Sequence, residues 1–284
     1  MIYKSAEGGT GYMTLQKKSI QSSSVYAVLL LGMFTFLFLG TEYMYVNMLS
    51  RTVGEEQTGI AQAYALGVSA LGFFLYPPVR RFLKRGAKTG LPVFLALVAV
   101  GCNFFIQRQG SYRSTLLSGL TLFLVLGFLG SMVHDLFFRL AADWACLARL
   151  VGLSYSLGIL LQFLNNNLTS LQTREAWILS GVMLGLLAML PKAERISYAA
   201  PMEEGDFQKA SRKQVASGVL LALLIVLMAC IFSTLDNAVT LRHGSDADIG
   251  QWPRLLLAAS GLAAGFLFDI QKRKYMTVMM YCIM

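Results

Sequence analysis

The sequence predicts an all-α polytopic membrane protein, and three observations lead to that fold class. Hydrophobic residues occupy 56% of the 284 positions and charged residues only 14%, which is far from the composition of an average soluble domain. Separated runs of about twenty apolar residues are each long enough to cross a hydrocarbon core of about 30 Å as a helix. Lysine and arginine are concentrated in alternate segments between these runs.

The first six spans form a predicted N-terminal bundle over residues 25–190, preceded by a cytoplasmic tail over 1–24. No small-residue cleavage site follows the first apolar run, so this run is predicted to be a retained span. Pro77 and Pro78 are predicted to end the second span and Pro191 the sixth, because proline interrupts the hydrogen bonding of a helix. The six spans are predicted at residues 25–48, 59–76, 91–106, 116–138, 145–164 and 177–190.

The hydrophilic segment 191–214 is the predicted cytoplasmic linker to an incomplete second bundle over 215–284. A seventh span is predicted at 215–234, an eighth at 253–268 and a ninth stub at 275–284, which gives about eight full spans and a stub. A terminal carboxylate near the middle of the membrane is energetically costly. We therefore expect the chain to be a fragment of a longer protein.

The distribution of basic residues orients the predicted spans. With the N-terminus in the cytoplasm, the inner segments hold three quarters of the 24 lysine and arginine residues. This excess predicts an integral membrane protein with its N-terminus in the cytoplasm and the lipid bilayer as its surroundings. We expect this membrane to be a bacterial plasma membrane. The basic residues lie between apolar runs and not on a water-facing domain, so we expect no nucleic-acid partner.

The sequence contains no enzyme signature. The motifs H-E-x-x-H and G-x-S-x-G and the Walker loop are all missing. The four cysteines lie singly, without C-x-x-C spacing, and indicate neither a disulfide framework nor a metal site. We therefore expect a protein that is not an enzyme and that needs no cofactor.

Two basic turns resemble the hallmark of the major facilitator superfamily, G-x-L-x-D-R-x-G-R-R, which follows the second span of each half. The better copy, GFLFDIQKRK at 265–274, keeps the glycine, the leucine and the acid but has Ile270 and Lys272 where the family has Arg and Gly. The poorer copy lies within 72–90, and Leu83 replaces its acid. The resemblance implies that Asp269 and Arg273, four residues apart, form a gating pair.

The first two spans also resemble the drug and sugar efflux branch of this superfamily, through FLGTEYMYVNMLS at 38–50 and AQAYALGVSALGF at 61–73. An arginine within span four and the G-P-x-x-G-G signature of span five, both typical of the branch, are missing. The resemblance implies a secondary active transporter that works by alternating access. Its partners would be a small organic solute and protons or another coupling ion, with efflux as the expected direction.

The missing motif residues leave an alternative from another functional class open. A transporter-like body that has lost its coupling residues would act as a membrane sensor or scaffold without transport activity. Substrate flux across a membrane distinguishes this alternative from a transporter.

Glu42 is the clearest candidate for coupling, because an ionisable residue inside a span faces a cavity or a partner by default. It lies in the outer half of span one, and Thr35 lies seven residues earlier on the same helix face. Glu42 is interpreted either as a proton-binding or cation-binding carboxylate, or as a carboxylate at the end of the helix that reaches water.

Span four carries a polar stripe at its cytoplasmic end. Ser131, Asp135 and Arg139 are spaced at i, i+4 and i+8. Asp135 and Arg139 are predicted to form an inner gate with the basic turn 80–88, or else a simple intrahelical pair. His134 is predicted to serve either as a proton shuttle or as a hydrogen-bonded packing residue.

Span five carries a second stripe formed by Ser154, Gly158, Gln162 and Asn165. Two interpretations are open for these residues. Gln162 and Asn165 line the substrate path, or the stripe joins neighbouring helices by hydrogen bonds.

Overall fold

A computed structural model shows a bundle of long helices and describes residues 8–82, 85–108, 111–141, 146–168, 172–199, 212 and 252–268. The predicted all-α class is confirmed for these residues, which contain no strand. Their helices are α1 (Gly8–Ser50), α2 (Glu55–Phe82), α3 (Arg85–Gln107), α4 (Tyr112–Leu140), α5 (Leu147–Leu168), α6 (Gln172–Ala199) and α7 (Trp252–Phe268).

Six of these helices, α1 to α6, are long and apolar enough to cross a membrane. The chain is therefore an integral membrane protein, as predicted. The predicted count of eight spans and a stub is not supported. Helix α7 has 17 residues and covers about 26 Å at 1.5 Å per residue, less than a hydrocarbon core of about 30 Å. The predicted seventh span and the ninth stub lie outside the described residues.

The predicted helix ends at proline are wrong. Pro77 and Pro78 lie inside α2, which continues to Phe82, and Pro191 lies inside α6, which continues to Ala199. A proline removes one backbone donor, whereas ending a helix exposes several polar groups that lipid cannot solvate. The helices therefore continue, and the predicted linker 191–214 begins as helix.

The core of the bundle lies between α1 and α4. Helix α1 packs against α4, α5 and α6, and α4 also packs against α2 and α3. At the centre, the ring of Phe123 on α4 lies 5.7 Å from that of Phe38 and 5.6 Å from that of Tyr45, both on α1. Tyr45 and Phe123 are fully buried. These contacts fix the rotation of the two central helices, and with it the faces that their polar residues present.

Helix α2 lies against α4 with backbone touching backbone, and two glycines allow this approach. A Cβ atom at Gly72 would overlap the carbonyl of Leu124, and one at Gly127 would overlap the carbonyl of Ser69. Small residues at such positions are typical of membrane helix pairs, where close packing replaces the hydrophobic effect.

Helix α7 packs against α5. The hydroxyl of Ser156 donates a 2.7 Å hydrogen bond to the carbonyl of Ala258. The described residues of 8–199 and of 254–268 belong to one compact unit. The predicted domain boundary at 191–214 stays a prediction, because almost all of residues 200–251 lie outside the described residues.

Replacing Gly72 with alanine is expected to lower the free energy of unfolding by about 1–3 kcal/mol, because the added methyl group meets backbone that has no rotamer to change. The measurement is unfolding in detergent followed by circular dichroism. Gly67→Ala is the matched control on the same helix, because a Cβ there meets nothing within 4 Å. Equal stability of the two variants would contradict the close approach of α2 and α4.

Candidate functional site

Most of the predicted site residues line three cavities among the described helices. The polar cavity has a volume of about 270 Å³ and the aromatic cavity about 450 Å³. These two cavities adjoin, because both are lined by Leu39, Ile159 and Leu257. The third, the ion-pair cavity, has a volume of about 460 Å³ and lies between α2 and α4. It is lined by Tyr76, Pro77, Arg80, Arg81, Ser131 and Asp135.

Glu42 lines the polar cavity and is half-buried. Its Oε1 atom accepts a 2.8 Å hydrogen bond from the side-chain amide of Gln62 on α2. Leu39, Glu42, Tyr43 and Val46 share one face of α1, which is why they line the same wall. The carboxylate is therefore held at a cavity between helices.

The predicted stripe on α5 faces α1. Ser154 is fully buried and donates to the carbonyl of Leu150, and a Cβ at Gly158 would lie 2.6 Å from the Cβ of Thr35. Further along α5, Gln162 is 2% exposed and lines the polar cavity. The beginning of the stripe thus serves close helix packing, and Gln162 belongs to a cavity wall.

Thr35 and Asn165 lie outside the polar cavity. Thr35 lines the aromatic cavity, and its hydroxyl donates a 2.9 Å hydrogen bond to the carbonyl of Leu31 in its own helix. Asn165 is 8% exposed and is not part of the polar cavity's wall. The structure therefore separates the coupling and path residues that the sequence grouped together.

His134 lies in the wall of the aromatic cavity. Its Nδ1 lies 2.7 Å from the carbonyl oxygen of Gly130. A carbonyl only accepts, so Nδ1 carries a hydrogen and donates it. Its Nε2 lies 3.4 Å from the hydroxyl of Tyr155, and its ring meets those of Phe34 and Phe73 edge-on. Nε2 therefore faces the hydroxyl of Tyr155 on α5.

Asp135 is the centre of a charged cluster. Its Oδ2 is paired with Arg80 of α2 and accepts from the hydroxyl of Tyr76 at 3.3 Å. Its Oδ1 accepts from Arg139 Nη2 at 3.0 Å and Nε at 3.2 Å. One carboxylate therefore holds two guanidinium groups, one on its own helix and one across the interface with α2.

Sequence reasoning missed three residues of these cavities. Arg254 is not among the residues that the sequence singles out, yet it lines the polar cavity. Gln62 and Tyr155 were not singled out, although polar residues inside apolar runs are a usable signal. The predicted gate residues Asp269 and Arg273 lie outside the described residues.

No group of three or more histidine, cysteine, aspartate or glutamate side chains within the described ranges is placed to hold a metal ion. Comparisons with protein-family models, with curated proteins and with solved structures find no match to this chain. The chemistry of the site therefore follows from its own residues, their burial and their charges.

A double-mutant cycle with Asp135→Asn and Arg80→Gln is expected to give a coupling free energy of about 1 kcal/mol, because both side chains are about 30% exposed and Arg139 still partners Asp135. The measurement is unfolding of the purified protein in detergent. Arg81→Gln replaces Arg80→Gln in the control cycle, since Arg81 is exposed and forms no ion pair with Asp135. Equal coupling in both cycles would contradict the ion pair.

Proposed function

We propose that this chain is a secondary active transporter that moves a small organic solute across the membrane by alternating access. Transport is coupled to protons, and its direction is efflux. The proposal includes membership of the major facilitator superfamily. Two residues of the better motif copy, Gly265 and Leu267, lie in α7. Its substrate would occupy the polar and aromatic cavities.

The observation that carries the proposal is the position of Glu42. An ionisable residue within a membrane-spanning helix is costly, and it is usually kept for a pathway or a relay. Glu42 lines a cavity shared by α1, α2, α5 and α7, where Gln62 holds its carboxylate. A carboxylate in such a place can take up and release a proton as the cavity changes its exposure to the two sides.

The cluster around Asp135 supports a gate at the other end of the helices. Helix α4 runs from the half of α1 that contains Tyr45 to the half that contains Ser23, whose hydroxyl donates to the carbonyl of Leu140. Asp135 therefore lies toward the opposite end of the bundle from Glu42. Its ion pair with Arg80 joins α2 to α4 and would have to break if that end opens.

The test of coupling is proton movement in proteoliposomes that contain a pH-sensitive dye and are exposed to a panel of small organic solutes. Solute-dependent proton movement is expected for the wild type and is expected to be lost in Glu42→Gln, which keeps the shape of the side chain and cannot ionise. The matched control is Glu56→Gln, an exposed carboxylate on α2.

Proton movement that survives in Glu42→Gln would contradict coupling at this residue. Flux that ignores the pH gradient altogether would contradict proton coupling. A wild type that moves none of the solutes would favour the alternative of a membrane sensor or scaffold.

If Asp135 and Arg80 form a gate, breaking their ion pair is expected to change solvent accessibility in opposite directions at the two ends of the bundle. In a chain with its native cysteines replaced by serine, breaking the ion pair by Asp135→Asn is expected to raise maleimide labelling at Ser131→Cys and to lower it at Val46→Cys. Loss of about 1 kcal/mol at one gate shifts a two-state population about fivefold. Arg81→Gln is the control, and a change confined to Ser131→Cys would contradict alternating access.

A further inference from the structure

The polar cavity contains two opposite charges that are not paired with each other. Glu42 lies on α1 and Arg254 in the first turn of α7, and both line the cavity. Neither forms an ion pair among the described residues. The guanidinium carbon of Arg254 lies 5.3 Å from the centre of the Tyr43 ring. Half-buried charges that are separated from each other each gain from a counter-charge.

Two buried polar atoms in the cavity wall also have no partner in the described part of the chain. They are Nη1 of Arg254, a donor, and Oε1 of Gln162, an acceptor. The amide nitrogen of Gln162 is already engaged, at 2.8 Å from Oδ1 of Asn166. A Cβ at Gly40 would lie 2.9 Å from the free Gln162 oxygen, so glycine leaves room for this amide. The cavity wall thus contains two opposite charges, together with a donor and an acceptor that are buried without a partner.

We propose that the polar cavity binds the zwitterionic head of an α-amino acid, with its carboxylate on Arg254 and its ammonium group on Glu42. A guanidinium group presents a fork of N–H donors that matches a carboxylate. An ammonium group has three donors and accepts nothing. It matches the carboxylate of Glu42, which lines the cavity. This assignment rests on the proposed transport function, since it names the transported solute.

The side chain of this amino acid is large and apolar. The aromatic cavity adjoins the polar one through Leu39, Ile159 and Leu257, so a solute with its head at Glu42 can extend its body there. The volume of about 450 Å³ lies within the range of ligand pockets, and Phe34, Phe38 and Phe73 contribute to its wall. Aromatic walls of this kind favour an aromatic ring.

A solute with a single charge fits less well. An amine leaves Arg254 without a counter-charge, and a carboxylate alone leaves Glu42 without one, whereas a zwitterion neutralises both. Protonation of Glu42 removes the charge that holds the ammonium group. Proton and solute therefore compete at this carboxylate, which agrees with its proposed role in coupling.

The experiment is calorimetric measurement of binding to the purified 284-residue chain in detergent with three probes of similar size. These are L-phenylalanine, phenethylamine and 3-phenylpropionate, of which only the first carries both charges. The dissociation constant of L-phenylalanine is expected to be at least about tenfold lower than that of either other probe. This ratio corresponds to the usual contribution of one hydrogen bond to a charged group. Equal or tighter binding of a singly charged probe, or no binding of L-phenylalanine at millimolar concentration, would overturn the proposal.

Variants assign the two ends of the solute. Arg254→Gln is expected to weaken the binding of L-phenylalanine about tenfold and to leave the binding of phenethylamine unchanged. Glu42→Gln is expected to weaken the binding of both. Arg254→Lys keeps the charge but not the fork of donors, so its affinity for L-phenylalanine is expected to lie between those of Arg254→Gln and the wild type. The exposed residues Arg113 and Glu56 supply the controls Arg113→Gln and Glu56→Gln. An Arg254→Gln variant that elutes as a folded monodisperse species and binds like Arg113→Gln would overturn the assignment.

The binding and flux measurements distinguish failure of the amino-acid site from failure of the proposed transport function. Charge-dependent binding of L-phenylalanine without any flux would contradict the transport function and leave the site in place. Proton-coupled flux of other solutes without L-phenylalanine binding would contradict the amino-acid site and leave the transport function in place.

Discussion

Lipid offers no hydrogen bonds, and this constraint governs both the backbone and the side chains of the chain. It accounts for the six long apolar helices, in which backbone donors and acceptors are paired within each helix. It also accounts for the continuation of α2 through Pro77 and Pro78 and of α6 through Pro191. Ending a helix inside the bilayer would expose more polar groups than a proline does.

The same constraint applies to the charged side chains. Asp135 satisfies it within the protein, through Arg80, Arg139 and Tyr76. Glu42 satisfies it only in part, through Gln62, and shares its cavity with Arg254, whose Nη1 has no partner among the described residues. A satisfied cluster is suited to hold two helices together, whereas an unsatisfied pair of charges is suited to bind a solute. In the proposed mechanism, the end with Asp135 therefore acts as a gate and the end with Glu42 as the binding and coupling site.

Close packing determines where these groups meet. Without a hydrophobic effect between helices, association depends on surfaces that fit, and glycines supply the fit between α2 and α4. The approach at Gly72 and Gly127 brings Arg80 of one helix to Asp135 of the other. The close contact of Gly158 with Thr35 packs α5 against α1, and both Gln162 of α5 and Glu42 of α1 line the polar cavity. The packing of the helices therefore determines the geometry of the cavities.

The sequence by itself determined the helical class, the positions of the first six spans and the residues that are out of place in lipid, among them Glu42, His134 and Asp135, because length, hydropathy and single charges are local properties. Its count of eight spans and a stub is not supported by the described residues. It did not determine the helix ends near prolines, since that balance depends on the surroundings of the whole helix. Only the tertiary structure decided that Gln62 contacts Glu42, that Arg80 pairs with Asp135 and that Arg254 lines the polar cavity. A period of 3.6 residues specifies the faces of one helix, but contacts between helices depend on rotation, register and depth, which packing sets.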